Sequence, residues 1–300
     1  MKLTQTTAPT TTAVSLAEAR AWLNMTPGIT EDDAVLELLI DEAVDYLEHR
    51  TNRKLLAQTW TLQLDWSEVS ECIRLPLVPL VSVSSIKTTD DDGVETTVTS
   101  TNYQVRAGED PRIVLTSDGE WPSDARDYDA MAIVCVCGYA GTVVPYVGFE
   151  PASAHVPGLN DMTAGLSAAW SGTARTVFEV KITTADTTDK FDWRSITSDS
   201  NGQKTYGAWT ADVAIDGTAQ ALATGATVRF SNNTGHTLND QWTVEMYERL
   251  PERVRHAIRG CVLHFHDSKG RGVSQTVSGQ LYSFSHHLTA LFDSLRVHPF

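Results

Sequence analysis

The chain has 300 residues, of which 41% are hydrophobic and 20% charged, an ordinary globular balance with room for two domains. The formal net charge of −15 opposes a protein that grips nucleic acid by its phosphates, but suits a wall past which DNA slides. No run approaches the roughly 18 apolar residues of a membrane span, and residues 1–13 lack a secretory pattern. They are expected to be a flexible Thr-rich arm on a chain made, and kept, in the cytoplasm.

Helical signals come first. In Ser15-Leu-Ala-Glu18, Ser15 can cap a helix while Glu18 reaches back to the Ser15 amide. That helix is expected to end near Asn24, with Pro27-Gly28 as the break. A second helix is expected after Thr30, where Glu31, Asp32 and Asp33 put negative charge on the first turn. Leu36, Leu39, Ile40, Ala43 and Leu47 give it a buried stripe.

The period then falls to two. Trp60, Leu62 and Leu64 fall on one face of a strand, and further strands are expected at 73–75 and 78–86, with Pro76 and Pro79 at the bend between them. Asp92-Gly93 marks a hairpin turn. Strands at 103–105, 113–115 and 132–137 complete a small antiparallel sheet. From about Val144 to Met246 the composition turns to Gly, Thr, Ser, Ala and Asp. Short alternating runs recur there: Phe178, Val180 and Ile182; Phe191 and Trp193; Val228 and Phe230; Trp242, Val244 and Met246. Turn clusters such as 200–202 and 232–235 separate them, which is the pattern of a β-sandwich. Helical spacing returns after Leu250-Pro251, with Val254, Ala257, Ile258, Cys261, Val262 and Phe265 in one stripe. A last amphipathic segment runs from His287 to Leu295, after a Ser- and Gly-rich stretch at 273–285 expected to be flexible.

The fold class expected is α+β. A helical bundle with a small antiparallel sheet forms one discontinuous domain from residues 14–143 and 247–300, and an all-β sandwich at 144–246 is inserted into it.

Little catalytic chemistry is legible. The cysteines, Cys72, Cys135, Cys137 and Cys261, contain no CxxC pair and read as buried free thiols. Asp90-Asp91-Asp92-Gly93 fails the calcium-loop register, because Thr88 and Thr99 fall where Asp and Glu belong; it reads as a hairpin tip. His264 and His266 are two apart on a helix and point away from each other, which opposes a shared metal. No GxSxG, P-loop, HExxH or strand-borne GxGxxG is present. The expectation is a protein with no catalytic, cofactor-binding or metal-ligating residue, and not an enzyme. Trp170, Trp193, Tyr206, Trp209 and Trp242 read chiefly as core, with stacking on sugar as the alternative. Arg249, Arg253, Arg255 and Arg259 share faces at fourfold spacing and are candidates for a subunit interface.

The two outer pieces resemble the tailed-phage head-tail connector or adaptor family. The resemblance rests on Val14-Ser-Leu-Ala-Glu-Ala-Arg20, Thr30-Glu-Asp-Asp-Ala34, Thr51-Asn-Arg53, Thr59-Trp60, Ile73-Arg-Leu-Pro76, Pro79-Leu-Val-Ser-Val83, Asp92-Gly-Val-Glu95, Tyr103-Gln-Val105, Trp121-Pro122, Gly138-Tyr139 and Leu250-Pro-Glu-Arg-Val-Arg-His-Ala-Ile258. It implies a structural protein of the virion neck, joining capsid to tail as a ring of about twelve copies below the portal, with genomic DNA as channel cargo. Its implied partners are the portal protein, other copies of itself and a downstream neck or tail protein, with no membrane. It also implies that the C-terminal segment docks on the portal, and Leu288, Leu291, Phe292, Leu295 and Phe300 are the residues expected to do so. The inserted segment resembles, more loosely, β-sandwich modules of other phage structural proteins. A stopper or completion protein and a carbohydrate-binding virion module are the alternatives.

Overall fold

The computed structural model describes residues 1–26, 31–152, 158–199, 203–268 and 286–297. The calls on Pro27-Gly28, on the turn at 200–202, on the stretch 273–285 and on Phe300 lie outside the described residues. By packing, the chain divides into two compact units. One is Met1–Pro9 with Leu47–Gly141 and Phe292–Phe300; the other is Thr10–Tyr46 with Thr142–Leu291. This boundary departs from the expected one. It places residues 10–46 and the helix after Leu250 with the sandwich.

The first unit is built of strands β1 (Lys2–Thr7), β2 (Gln58–Leu64), β3 (Cys72–Arg74), β4 (Leu80–Thr89), β5 (Glu95–Thr97), β6 (Tyr103–Arg106), β7 (Arg112–Leu115) and β8 (Met131–Cys137). They form a five-stranded sheet, β1-β2-β8-β4-β5, and a three-stranded sheet, β3-β7-β6, with every pairing antiparallel. The inward positions of both sheets meet in one core. Leu62 and Leu64 from β2, Ile73 from β3, Ile86 from β4, Ile113 from β7 and Met131, Ile133, Cys135 and Cys137 from β8 are all buried there. Alternate residues on β8 point into this core, the period-two pattern its sequence carries. In the β4–β5 hairpin Gly93 adopts a φ of 80°, and Asp90 Oδ1 accepts the amides of Asp92 and Val94 at 3.0 and 2.8 Å. The acidic run thus caps its own turn. At the end of β8, Gly138 has a φ of 117°, and a Cβ there would meet the Leu56 carbonyl oxygen at 2.2 Å. Only glycine fits.

Residues 1–13 are not the flexible arm expected. β1 pairs with β2 from Lys2↔Gln63 to Thr7↔Thr59, and Thr11, Thr12 and Ala13 are buried. Every side chain of β1 is exposed. Its order therefore comes from backbone pairing and extended Thr residues, and hydrophobic period carries no trace of it.

In the second unit, β9 (Val143–Glu150), β10 (Met162–Leu166), β11 (Arg175–Thr184), β12 (Lys190–Ser198), β13 (Lys204–Tyr206), β14 (Thr210–Ala214), β15 (Gln220–Ala221), β16 (Ala226–Phe230) and β17 (Gln241–Glu248) form two sheets. The larger runs β13-β12-β11-β17-β9, with β14 also on β12; the smaller is β10-β16-β15. Phe178, Val180 and Ile182 of β11, Phe191 of β12, Val228 and Phe230 of β16, and Trp242, Val244 and Met246 of β17 close one core between them. Two sheets closing on one core make a sandwich.

The same unit holds α1 (Leu16–Trp22) and α3 (Glu252–Ser268), and shares with the first unit the chain of α2 (Asp33–Thr51) and α4 (His286–Leu295). Ser15 caps α1, its side chain accepting from the Glu18 amide at 3.0 Å. The expected return bond from Glu18 is not made, because that carboxylate turns to α3. α1 sits on β9 where Gly148 leaves room: a Cβ there would stand 2.6 Å from the Ala17 Cβ. Helices are thus few, and sheets organise both units. The expected helical bundle is corrected to a sheet-rich α+β fold.

Candidate functional site

The four arginines separate into two kinds. Arg249 precedes α3 and, like Arg253, is exposed; neither makes an ion pair among the described residues. Arg255 and Arg259 point inward. Arg255 donates to Glu18 Oε1 at 2.6 Å and to Glu252 Oε2 at 3.3 Å. Arg259 donates to Glu18 Oε1 at 3.3 Å and also pairs with Glu252. Their guanidinium carbons lie 5.3 Å from the Tyr247 ring centroid and 4.9 Å from that of Trp22. Burial opposes the charge on Arg255, yet the Glu18 bond and charge raise it above its ordinary range. Both side chains are therefore paired within their own chain, where they clamp α3 on α1.

The C-terminal stripe is also largely spent. Phe292 and Leu295 are 1% and 6% exposed. The Val297 amide donates to the Thr51 carbonyl at 2.9 Å, and Arg53 donates to that of Leu295. Leu288 and Leu291 are half-buried, and Leu288 lies close over Gly260 of α3.

The cysteines Cys135, Cys137 and Cys261 are buried, and burial pushes their thiols to about 11, about 12 and about 12. They remain protonated and inert at neutral pH. Cys72 is the exception: it is exposed, because β3 turns its neighbour Ile73 inward instead.

Of the aromatic residues in the sandwich, Trp242 is core, and Trp170 and Trp193 pack against that core. Tyr206 and Trp209 are 56% and 40% exposed. Sequence reasoning missed a polar cluster altogether. The His236 ring is enclosed, with Nδ1 2.8 Å from Asp189 Oδ2 and Nε2 2.9 Å from Asp161 Oδ1. Phe230 and Trp242 stand edge-on around it, with centroids at 5.1 and 6.1 Å. Burial pushes the Asp161 and Asp189 carboxyls up, but hydrogen bonds outweigh it, so both lie below the ordinary range. For Asp161 the bonds come from the His236 ring and Asn232; for Asp189, from the His236 amide and ring and the Asp186 amide. The cluster ties the turn before β17 to the sandwich through both ring nitrogens of His236.

Among the described residues no group of His, Cys, Asp and Glu is arranged to hold a metal ion, and no helix is long and apolar enough to cross a membrane. A groove of about 200 Å³ runs between α1 and β9, lined by Ala17, Arg20, Tyr146, Phe149 and Glu150 among others. Arg20 fills its charge requirement with Asp33 and Glu150. Nothing there resembles an acid–base pair or an activated nucleophile.

Residues 13–108 match the phage gp6-like head-tail connector protein family. The resemblance read from the sequence is thereby shown over this stretch, which runs from the start of α1 to the residues just past β6. The match ends at Gly108 and leaves the rest of the chain uncovered. Solved structures similar to the chain include the neck of an empty gene transfer agent particle treated with C6 symmetry. The identity there is 26%, over 46% of this chain and 72% of that one, with a TM-score of 0.41. The neck of the native particle, treated with C12 symmetry, gives 26% over 46% and 70%, with a TM-score of 0.39. No curated protein sequence matches.

Proposed function

We propose that this chain is a head-tail connector that forms a closed ring of identical copies beneath the portal, around the path of the DNA, and joins the capsid to the tail. The observation that carries the reading is the connector-family match over residues 13–108. The net charge of −15 supports it, since an acidic lining lets DNA pass without adhering. The protein acts by structure, with no catalytic step. Arg249 and Arg253, exposed and free of partners among the described residues, are the cations available to meet an acidic neighbouring copy. Portal docking falls to the half-buried Leu288 and Leu291, with Phe292 and Leu295 anchoring α4.

The test is genetic and structural together. Particles made without this chain should stop as DNA-filled heads lacking tails, and supplying the chain should restore joining. Tailed particles formed in its absence would refute the reading.

A further inference from the structure

On the outer face of the larger sandwich sheet, away from its core, two aromatic rings and one cation form a built surface. Arg194 of β12 carries its guanidinium carbon 4.8 Å from the Tyr206 ring centroid and 4.5 Å from that of Trp209. Its Nε donates to Glu179 Oε2 at 2.5 Å, and Gln241 Nε2 donates to Glu179 Oε1 at 2.7 Å. Glu179 is thus held from two sides and neutralises the arginine. The two terminal nitrogens of Arg194 make no hydrogen bond among the described residues, and that side chain is 25% exposed. The rings themselves stay open, at 56% and 40%. Among the other tryptophans of the sandwich, Trp242 is buried and Trp170 and Trp193 pack against the core.

This arrangement has a specific chemistry. The open aromatic surface takes the apolar C–H face of a flat ring. The free guanidinium nitrogens present two parallel donors, the geometry that a pair of adjacent oxygens accepts. Because Glu179 cancels the charge of Arg194, the surface holds no net attraction for an anion. A ligand with an apolar face, adjacent hydroxyls at its rim and no charge is a pyranose sugar. We propose that Tyr206, Trp209 and Arg194 form a binding surface for a neutral oligosaccharide, with the rings stacking and the arginine reading vicinal hydroxyls. Glu179 and Gln241 act as positioning residues that fix the guanidinium. This function is separate from ring assembly and does not rest on it.

The test uses the full chain and three neutral hexasaccharides, built of glucose, galactose and N-acetylglucosamine, with an oligogalacturonate as the anionic control. Saturation-transfer NMR reads contact, and tryptophan fluorescence reads affinity. At least one neutral sugar is expected to bind, with affinity falling at least tenfold in Tyr206→Ala/Trp209→Ala and measurably in Arg194→Lys. The side chains of the double variant are exposed, so its melting should match the parent. If it does not fold, Arg194→Lys alone decides. Absence of binding by all three neutral sugars, binding of the oligogalacturonate alone, or binding unchanged in the variants would each overturn the proposal.

Discussion

The imidazole Nδ1 of His236 lies 2.8 Å from Asp189 Oδ2, with side-chain exposures of 0% and 1%. With Asp161 on the other nitrogen, the ring bridges two carboxylates from separate parts of the sandwich. The carboxyls titrate below their ordinary range. Their contribution to stability is therefore present above the unfolded carboxylate range, and is lost as pH falls through and below that range.

Removing the imidazole should expose that balance. His236→Ala leaves two carboxylates without their shared hydrogen-bond partner and should cost about 3–5 kcal/mol at pH 7. Melting between pH 7 and pH 5 should then show stability rising with acid more steeply in the variant than in the parent. A variant that melts like the parent across this range would remove the cluster from the account.

Glu245 presents the opposite sign. Burial pushes its carboxyl up to about 7, against the amide of Leu16 and the charge of Arg175, which pull it down. The Leu16 amide donates to Glu245 Oε2 at 2.6 Å. An acid raised in the folded state contributes stability below its unfolded range, and that contribution is lost as pH rises through about 7. Glu245→Gln keeps an acceptor for the Leu16 amide and cannot ionise. It should be more stable than the parent at pH 8, by about 1–3 kcal/mol, and indistinguishable at pH 4.5 or below. Thermal melts at the two pH values check this.

The arginine pairs should separate folding from assembly. Arg255→Ala/Arg259→Ala strips the partners from Glu18, itself 8% exposed, and should cost about 3 kcal/mol of stability. Arg249→Glu/Arg253→Glu should leave melting unchanged to within about 0.5 kcal/mol, yet prevent ring formation on particles. Rings forming normally on the second variant would move the intersubunit contact elsewhere.

Truncation after Gln280 should unfold part of the protein instead of merely blocking docking. It removes Phe292 and Leu295, both buried, and burial of each contributes about 1.5–3 kcal/mol. Leu291→Glu is the gentler test: it should fold and fail to join heads. Unchanged melting of the truncated chain would mean that α4 is free, as the flexible-tail reading of the sequence had it.

Much of the fold is legible where side-chain period and burial coincide. Phe178, Val180 and Ile182 alternate in sequence and all reach the sandwich core, and the buried residues of β8 alternate in the same way. β1 was invisible because it buries nothing. The roles of the arginines were misread for a related reason: fourfold spacing shows which residues share a helix face, but Arg255 meets Glu18 across 237 positions of chain. His236 finds Asp189 and Asp161 at separations of 47 and 75. Its only local hint was a turn, Thr234-Gly-His-Thr237. The exposed pair Tyr206 and Trp209 could not be told from the core aromatics, since the irregular run between β13 and β14 obscures which side each faces.

The central claim is that this chain is a ring-forming connector of the neck. Electron cryo-microscopy of intact particles, at a resolution that traces side chains, tests it most directly. The account predicts density for the chain in closed cyclic copies between portal and tail, encircling the DNA path. Finding the chain on the capsid shell, at the tail tip or in fibres, with another protein in that ring, would contradict it.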